Sequence, residues 1–236
     1  MQPMSTLALP AMAVASKRRI VRRPGRRLLR FDRSLECTFV AGADEAGRGA
    51  LAGPLVIAAV LLDHSRLRGH ACAALGELDD SKQRTHAMRE RLLDAVLACA
   101  ARVSVIVVPA CEIDRVGLHR SNLRGLARAL EQLDAPAGAA LLTDGFRVPL
   151  AREHRAIIDG DATSAAIAAA SIVAKVTRDR LMHTAHARHP LYGFDGHVGY
   201  GTPAHRAALR AHGPCVMHRR SFSSVGDDQL ELELEP

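Results

Sequence analysis

The chain reads as an α/β domain: a mixed sheet of about five strands flanked by helices. Three observations predict this. Short apolar runs, several of them β-branched, lie between Gly, Pro and polar residues at about 37–43, 54–62, 102–108, 139–143 and 154–158, as strands do. Longer stretches at about 84–100, 120–133, 163–188 and 203–212 suit helices. The order is a strand pair followed by alternating helices and strands, which suits a sheet with helices packed on it.

The first strand pair holds the most unusual segment. Phe39–Val40–Ala41 leads into Asp44 and Glu45, then Gly47–Arg48–Gly49, Gly53–Pro54, and a second apolar run, Leu55 to Leu62. Asp and Glu are poor strand formers, and the glycines permit a tight turn and close approach of a ligand to the main chain. The segment is expected to edge an active site, with carboxylates for a hard cation and glycine amides for a phosphate or sugar. In the helix at 84–100, Met88, Leu92, Leu93, Val96 and Leu97 fall on one face. The helix at 163–188 is rich in alanine, so it can lie very close to a sheet.

Composition narrows the class. The 236 residues suffice for one domain with a real core plus tails. With no Trp, two Tyr and five Phe, that core is expected to be aliphatic. Five scattered cysteines show no metal-type spacing, which argues against a disulfide framework or a zinc ribbon and suits a reducing, cytoplasmic setting. No apolar stretch is long enough to span a membrane, and Leu7 to Ala15 lacks the positive flank of a secretory signal.

Charge is segregated. Lys17 to Arg33 contains nine basic residues and one acid, so without residues 1–33 the net charge of +7 falls to about −1. The expected organisation is a basic, flexible extension over 1–35, a catalytic domain over 36–223, and an acidic tail over 224–236. A basic arm could also hold a polyanion nonspecifically.

Two more carboxylates stand at strand ends. Asp144 follows Ala140–Leu141–Leu142–Thr143, and Asp161 lies in Asp159–Gly160–Asp161 before the alanine-rich helix. Alone, Asp144 could be a turn residue and Asp161 a helix cap. Together with Asp44 and Glu45 they suit Mg²⁺ or Mn²⁺, because four gathered carboxylates repel one another without cations. Two such ions can activate water and stabilise a leaving oxygen in phosphodiester hydrolysis. Asp179 is the rival fourth carboxylate, with an ion pair to Lys175 one turn back as its plainer reading.

The segment DEAGRGALAGP, Asp80–Ser81–Lys82, Thr143–Asp144–Gly145, Gly160–Asp161, the run from Ala170 to Arg180, and Gly199–Tyr200–Gly201–Thr202 together resemble bacterial ribonuclease HII over about residues 37–222. The resemblance implies an RNase H-like fold. It implies cleavage of the RNA strand of RNA–DNA hybrids and nicking 5′ of single ribonucleotides in duplex DNA, leaving 3′-hydroxyl and 5′-phosphate ends. It also implies that Asp44, Glu45, Asp144 and Asp161 bind two divalent ions in the substrate complex. Separately from the resemblance, the chain is expected to act as a monomer. Gly47–Arg48–Gly49 becomes the loop that senses the ribose 2′-hydroxyl, the group that distinguishes RNA from DNA. Tyr200 becomes the residue that packs on the following deoxy sugar. Lys82, Lys175, Arg178 and Arg180 are candidates for phosphate contacts, with Lys175 and Ser171 also able to support the site. One position departs from the pattern: the usual lysine before Gly199–Tyr200 is Val198 here, which removes a cationic contact or passes it to His197 or the basic arm.

Two other patterns lead nowhere. Gly47 to Ala52 fits a loose dinucleotide fingerprint, but Gly53–Pro54 and an apolar run follow instead of a helix. His183, His186 and His189 look like a metal run, but Pro190 ends the helix and only the first pair lies within one turn.

Overall fold

The strand β1 (Phe39–Ala46) is the middle of a five-stranded sheet. β2 (Leu55–Asp63) runs antiparallel to it, with Asp44 opposite Ala58 and Glu45 opposite Ile57. β3 (Ala100–Val108) adds antiparallel to β2. On the other side β4 (Ala140–Asp144) runs parallel to β1, and β5 (Arg155–Ile157) parallel to β4. The order β3-β2-β1-β4-β5 is the mixed sheet expected from the strand pattern. The computed structural model describes residues 25–68, 74–78 and 85–225. Lys82, the basic residues 17–23 and the acidic tail from 226 lie outside the described residues.

The helices are α1 (Gly25–Arg33), α2 (His86–Cys99), α3 (Ala110–Val116), α4 (Leu118–Gln132), α5 (Ala165–Arg188), the single turn α6 (Phe194–His197) and α7 (Pro203–His212). A 3₁₀ turn, Gly160–Ala162, precedes α5, and another, Pro190–Tyr192, follows it. Every residue of β2 is buried, and alternation along it divides the core between the two faces of the sheet. Val56, Ala58, Val60 and Leu62 pack with α1, α2 and the alanine-rich half of α5. Leu55, Ile57, Ala59 and Leu61 pack with Leu126, Ala129 and Leu130 of α4.

α5 fulfils the close packing its composition suggests. A Cβ on Gly42 of β1 would stand 2.3 Å from the Ala166 carbonyl carbon and the Ile167 nitrogen, so strand and helix backbones meet where only glycine fits. On α2, Leu92, Leu93 and Val96 are buried as the periodicity implies, but Leu97 is 52 % exposed and lies off the packed face.

The largest departure is at the N-terminus. The flexible extension expected over 1–35 is, from Gly25 onward, a packed helix. Leu28 and Leu29 enter the core, while Arg26, Arg27, Arg30 and Arg33 around them gave the segment its tail-like charge. Asp32 is fully buried and caps α5: Ser164 Oγ donates to its Oδ1 at 2.7 Å and the Ala166 N–H to its Oδ2 at 3.0 Å. A carboxylate there satisfies a first-turn amide of α5 and complements the helix dipole. Nothing short of the fold could reveal this, since donor and acceptor are 132 residues apart.

Asp32→Ala is therefore expected to destabilise the protein by about 2 kcal/mol. A shift of the urea midpoint at constant slope would measure this; an unchanged midpoint would refute the capping role.

Candidate active site

β1 and β4 run parallel, with Ala43 beside Thr143, so the next residue of each, Asp44 and Asp144, stands at the same carboxyl-terminal edge of the sheet. Ligands of open α/β sheets gather there. Asp44, Glu45, Gly47, Arg48, Gly49, Asp144, Ser171, Lys175 and Tyr200 line one cleft of about 660 Å³, together with Ala46, Arg89 and Phe146. Segments of the chain more than 150 residues apart thus converge on one cavity.

Asp44 is 4 % exposed. Burial, followed by the charges of Glu45 and Asp144, holds its carboxyl well above the usual carboxylate range, against hydrogen bonds from the Ser171 hydroxyl and the Glu45 N–H. Asp144 Oδ1 accepts the Gly160 N–H at 2.7 Å, which brings the Gly160–Ala162 turn against the end of β4. Asp161 lies on that turn and is buried; its side chain is not among those lining the cleft. The N-cap residue of α5 is Ser164, three positions further along the chain. Among the described residues, no three His, Cys, Asp or Glu side chains are gathered tightly enough to hold a metal ion by themselves. The donors that line the cleft are hard carboxylate oxygens, the kind that Mg²⁺ and Mn²⁺ prefer.

The glycine loop is fixed by its main chain. Gly47 has φ +87°, and a Cβ there would fall 1.8 Å from Arg178 Nε. Arg178, fully buried on α5, donates to the carbonyls of Pro54 at 3.0 Å, Ala52 at 3.0 Å and Val198 at 2.8 Å. Arg219, also fully buried, donates to Gly53 at 3.1 Å and Arg48 at 2.9 Å. Arg178 was expected to touch phosphate; the structure corrects this, because its guanidinium is consumed by three carbonyls inside the protein. Burial, and then the neighbouring Arg178 charge, push Arg219 down to about 10. No signal in the sequence separates Arg219 from the ordinary basic residues beside it.

Lys175 and Arg89 form the cationic edge of the cleft. Asp179, 3 % exposed, accepts from Lys175 Nζ at 2.7 Å and Arg89 Nη2 at 3.3 Å. The plainer reading of Asp179 is therefore the one observed, with a second cation that the sequence did not disclose. Arg180 instead faces outward, paired with Glu90 on α2. Arg48 places its guanidinium carbon 4.5 Å from the centre of the Phe146 ring. The Tyr200 ring, 37 % exposed, lies 5.3 Å from the Arg178 guanidinium and 5.7 Å from Lys175 Nζ. Val198 adopts φ 44° and ψ 38°, a left-handed conformation uncommon for a β-branched residue.

A family model described as Ribonuclease HII matches residues 41–225. A ribonuclease HII of Xanthomonas oryzae pv. oryzae is 51% identical over 197 residues, covering 83% of this chain and 74% of the relative. One of Nocardia farcinica is 52% identical over 201 residues, covering 84% and 76%. Among solved structures, the ribonuclease H2 of Pyrococcus horikoshii OT3 superposes with a TM-score of 0.70 at 27% identity, over 83% of this chain and 98% of that one.

Two outcomes follow from the geometry. Arg178→Met is expected to cost about 3 kcal/mol, because three buried carbonyls lose their donor, and Arg178→Lys recovers little of it. The salt dependence of duplex binding stays as in the wild type for Arg178→Met, whereas Lys175→Ala lowers its slope by about one. The second outcome concerns Asp44. Its carboxyl is raised in the fold, so the stability it contributes is complete below its unfolded value and is lost as pH rises through the folded one. Asp44→Asn is thus expected to raise the denaturation midpoint at pH 7 in chelator, with the gain vanishing towards pH 3; a lowered midpoint at pH 7 would contradict it.

Proposed function

Because this chain belongs to the ribonuclease HII family, it is a type 2 ribonuclease H, an endonuclease of RNA–DNA hybrids, and we propose that it also nicks duplex DNA 5′ of a single embedded ribonucleotide, leaving 3′-hydroxyl and 5′-phosphate ends. The observation that supports this best is the juxtaposition of the Asp44–Asp144 pair with the clamped Gly47–Arg48–Gly49 loop in one cleft. One half offers hydrolysis and the other a rigid main-chain surface able to read a sugar.

Asp44, Glu45 and Asp144, joined by Asp161 from the adjacent turn, would hold two Mn²⁺ or Mg²⁺ ions. The raised Asp44 supports this reading, because close, desolvated carboxylates are relieved by a divalent cation. Bound there, the ions would supply a nucleophilic water at neutral pH and charge for the departing 3′-oxygen. The protein's own groups do the positioning. Ser171 orients Asp44, and Gly160 orients Asp144. Gly49 lines the cleft, and a Cβ on it would meet no protein atom within 4 Å, so the main chain there is open to a ribose. Lys175 and Arg89, held by Asp179, would neutralise backbone phosphates. The Tyr200 ring would pack on the following deoxy sugar and exclude a 2′-hydroxyl by contact.

The cleft suits ribonucleotide removal from DNA, and the proposed enzyme acts as a monomer in a reducing, cytoplasmic setting, with which the free thiols of the described cysteines Cys37, Cys99, Cys111 and Cys215 accord. Among the described residues no helix is long and apolar enough to cross a membrane.

A DNA duplex carrying one ribonucleotide, incubated with Mn²⁺, Mg²⁺ or chelator, tests the reading. A single cut on the 5′ side of the ribonucleotide is expected with either metal and none with chelator. Asp144→Asn is expected to abolish turnover while keeping most substrate binding. Equally fast cleavage of an all-DNA duplex, or near-normal turnover by Asp144→Asn, would overturn it.

A further inference from the structure

The segment that carries Tyr200 is joined to a buried histidine cluster that the reaction leaves unused. His205, in the first turn of α7, is fully buried, and His218 is 2 % exposed. His205 Nδ1 lies 3.0 Å from the Tyr200 carbonyl oxygen. A carbonyl can only accept, so Nδ1 carries the proton and Nε2 bears a lone pair. His218 Nε2 is 3.0 Å from that lone pair and must be the donor. His218 Nδ1 is then an acceptor, and it receives the Cys215 N–H at 3.0 Å, with Cys215 Sγ 3.2 Å away. All four ring nitrogens are accounted for with both rings neutral. Burial, which pushes His218 down to about 4 and lowers His205, is consistent with that assignment.

A third histidine completes the grip. His197 stacks on His205 with ring centres 4.4 Å apart and planes 15° apart. Its Nδ1 accepts the Gly199 N–H at 3.1 Å, and its carbonyl accepts the Tyr200 N–H at 3.0 Å. The Gly199 carbonyl accepts from the N–H groups of Leu51 at 2.9 Å and Ala52 at 3.2 Å. The peptide units on either side of Tyr200 are therefore held by His197, by His205 and by the glycine loop itself.

We propose that His205 and His218 are positioning residues for Tyr200: a neutral relay, anchored on the main chain at Cys215, sets where the tyrosine stands relative to the Gly47–Arg48–Gly49 loop and so how strictly the enzyme reads an RNA-to-DNA junction. This rests on the reading of Tyr200 as a sugar contact. Burying two imidazoles is costly unless each is hydrogen-bonded. An apolar pair of similar size would pack against Tyr192 and Phe194, but only a directed donor can hold the Tyr200 carbonyl.

The test compares His205→Asn, His205→Gln and His205→Leu, with Tyr200→Ala alongside, by steady-state kinetics on a DNA duplex containing one ribonucleotide and by thermal melting. The Asn amide occupies the place of Nδ1 and keeps the bond to Tyr200, whereas the Gln amide reaches the place of Nε2 and loses it. His205→Gln and His205→Leu are expected to raise KM about fivefold with kcat changed less than twofold, and His205→Asn to stay close to the wild type. A purely structural histidine would move KM only in step with melting and would not separate Asn from Gln; that result overturns the proposal. If Tyr200→Ala leaves KM and the cut position unchanged, the reading of Tyr200 falls and takes the relay with it. If Tyr200→Ala raises KM while His205→Gln does not, the relay alone falls. Should His205 variants fail to fold, His218→Gln and His218→Asn repeat the comparison in mirror image, since here Gln keeps the donor to His205 and Asn loses it; equal KM values for the two overturn the proposal.

Discussion

Two buried guanidiniums hold the glycine loop of the cleft in place. Arg178 comes from the long central helix and Arg219 from the segment near the C-terminal end of the domain. Between them they bind the carbonyls of Arg48, Ala52, Gly53, Pro54 and Val198. Burial is unfavourable for a charged group and pushes both guanidiniums downward, and the Arg178 charge lowers Arg219 further. The cost is offset because, beyond an isolated bridge of Ala52 with His218, the loop between β1 and β2 is not in a strand ladder, and the carbonyls of Arg48, Ala52, Gly53 and Pro54 take their donors from these two side chains. Arginine suits this task, since one planar fork can reach several carbonyls at once.

The remaining geometry of the cleft follows from that clamp. With the loop fixed, Gly47 must lack a side chain, because Arg178 occupies its space. Asp44 and Asp144 are placed independently, by adjacent parallel strands whose register is set by the packed core on both faces. α5 links the two systems. Its alanine face lies on Gly42 of the central strand, its Ser171 reaches Asp44, its Asp179 holds the two cations, and its Arg178 holds the loop. Rigidity of this kind is what a site must have if it is to discriminate a single hydroxyl group.

Much of this was legible in the one-dimensional order of residues. The strand pattern, the alanine-rich helix and the carboxylates at strand ends follow from periodicity and from where Asp and Glu are tolerated, and each is local. Asp44, Glu45 and Asp144 could be chosen because charged residues at the ends of apolar runs need a reason. The ion pair of Lys175 with Asp179 was visible for the same cause, since residues four apart on a helix are neighbours.

What lay hidden was long-range pairing between residues of unremarkable local context. α1 looked like a basic tail because four arginines surround Leu28 and Leu29, and only the tertiary fold shows Asp32 meeting Ser164. Arg178 looked like a phosphate ligand because charge type does not reveal whether a side chain ends in water or among carbonyls. Arg89, Arg219 and the pair His205–His218 carried no motif at all. The sequence by itself determined the strand pattern, which rests on local periodicity, and the family, which rests on the resemblance of separate motifs, and it marked Asp44, Glu45 and Asp144 as carboxylates at the ends of apolar runs. The tertiary structure alone decided which cations face the cleft and which are buried beneath it, because that depends on what the rest of the chain brings within three ångströms of each charged end.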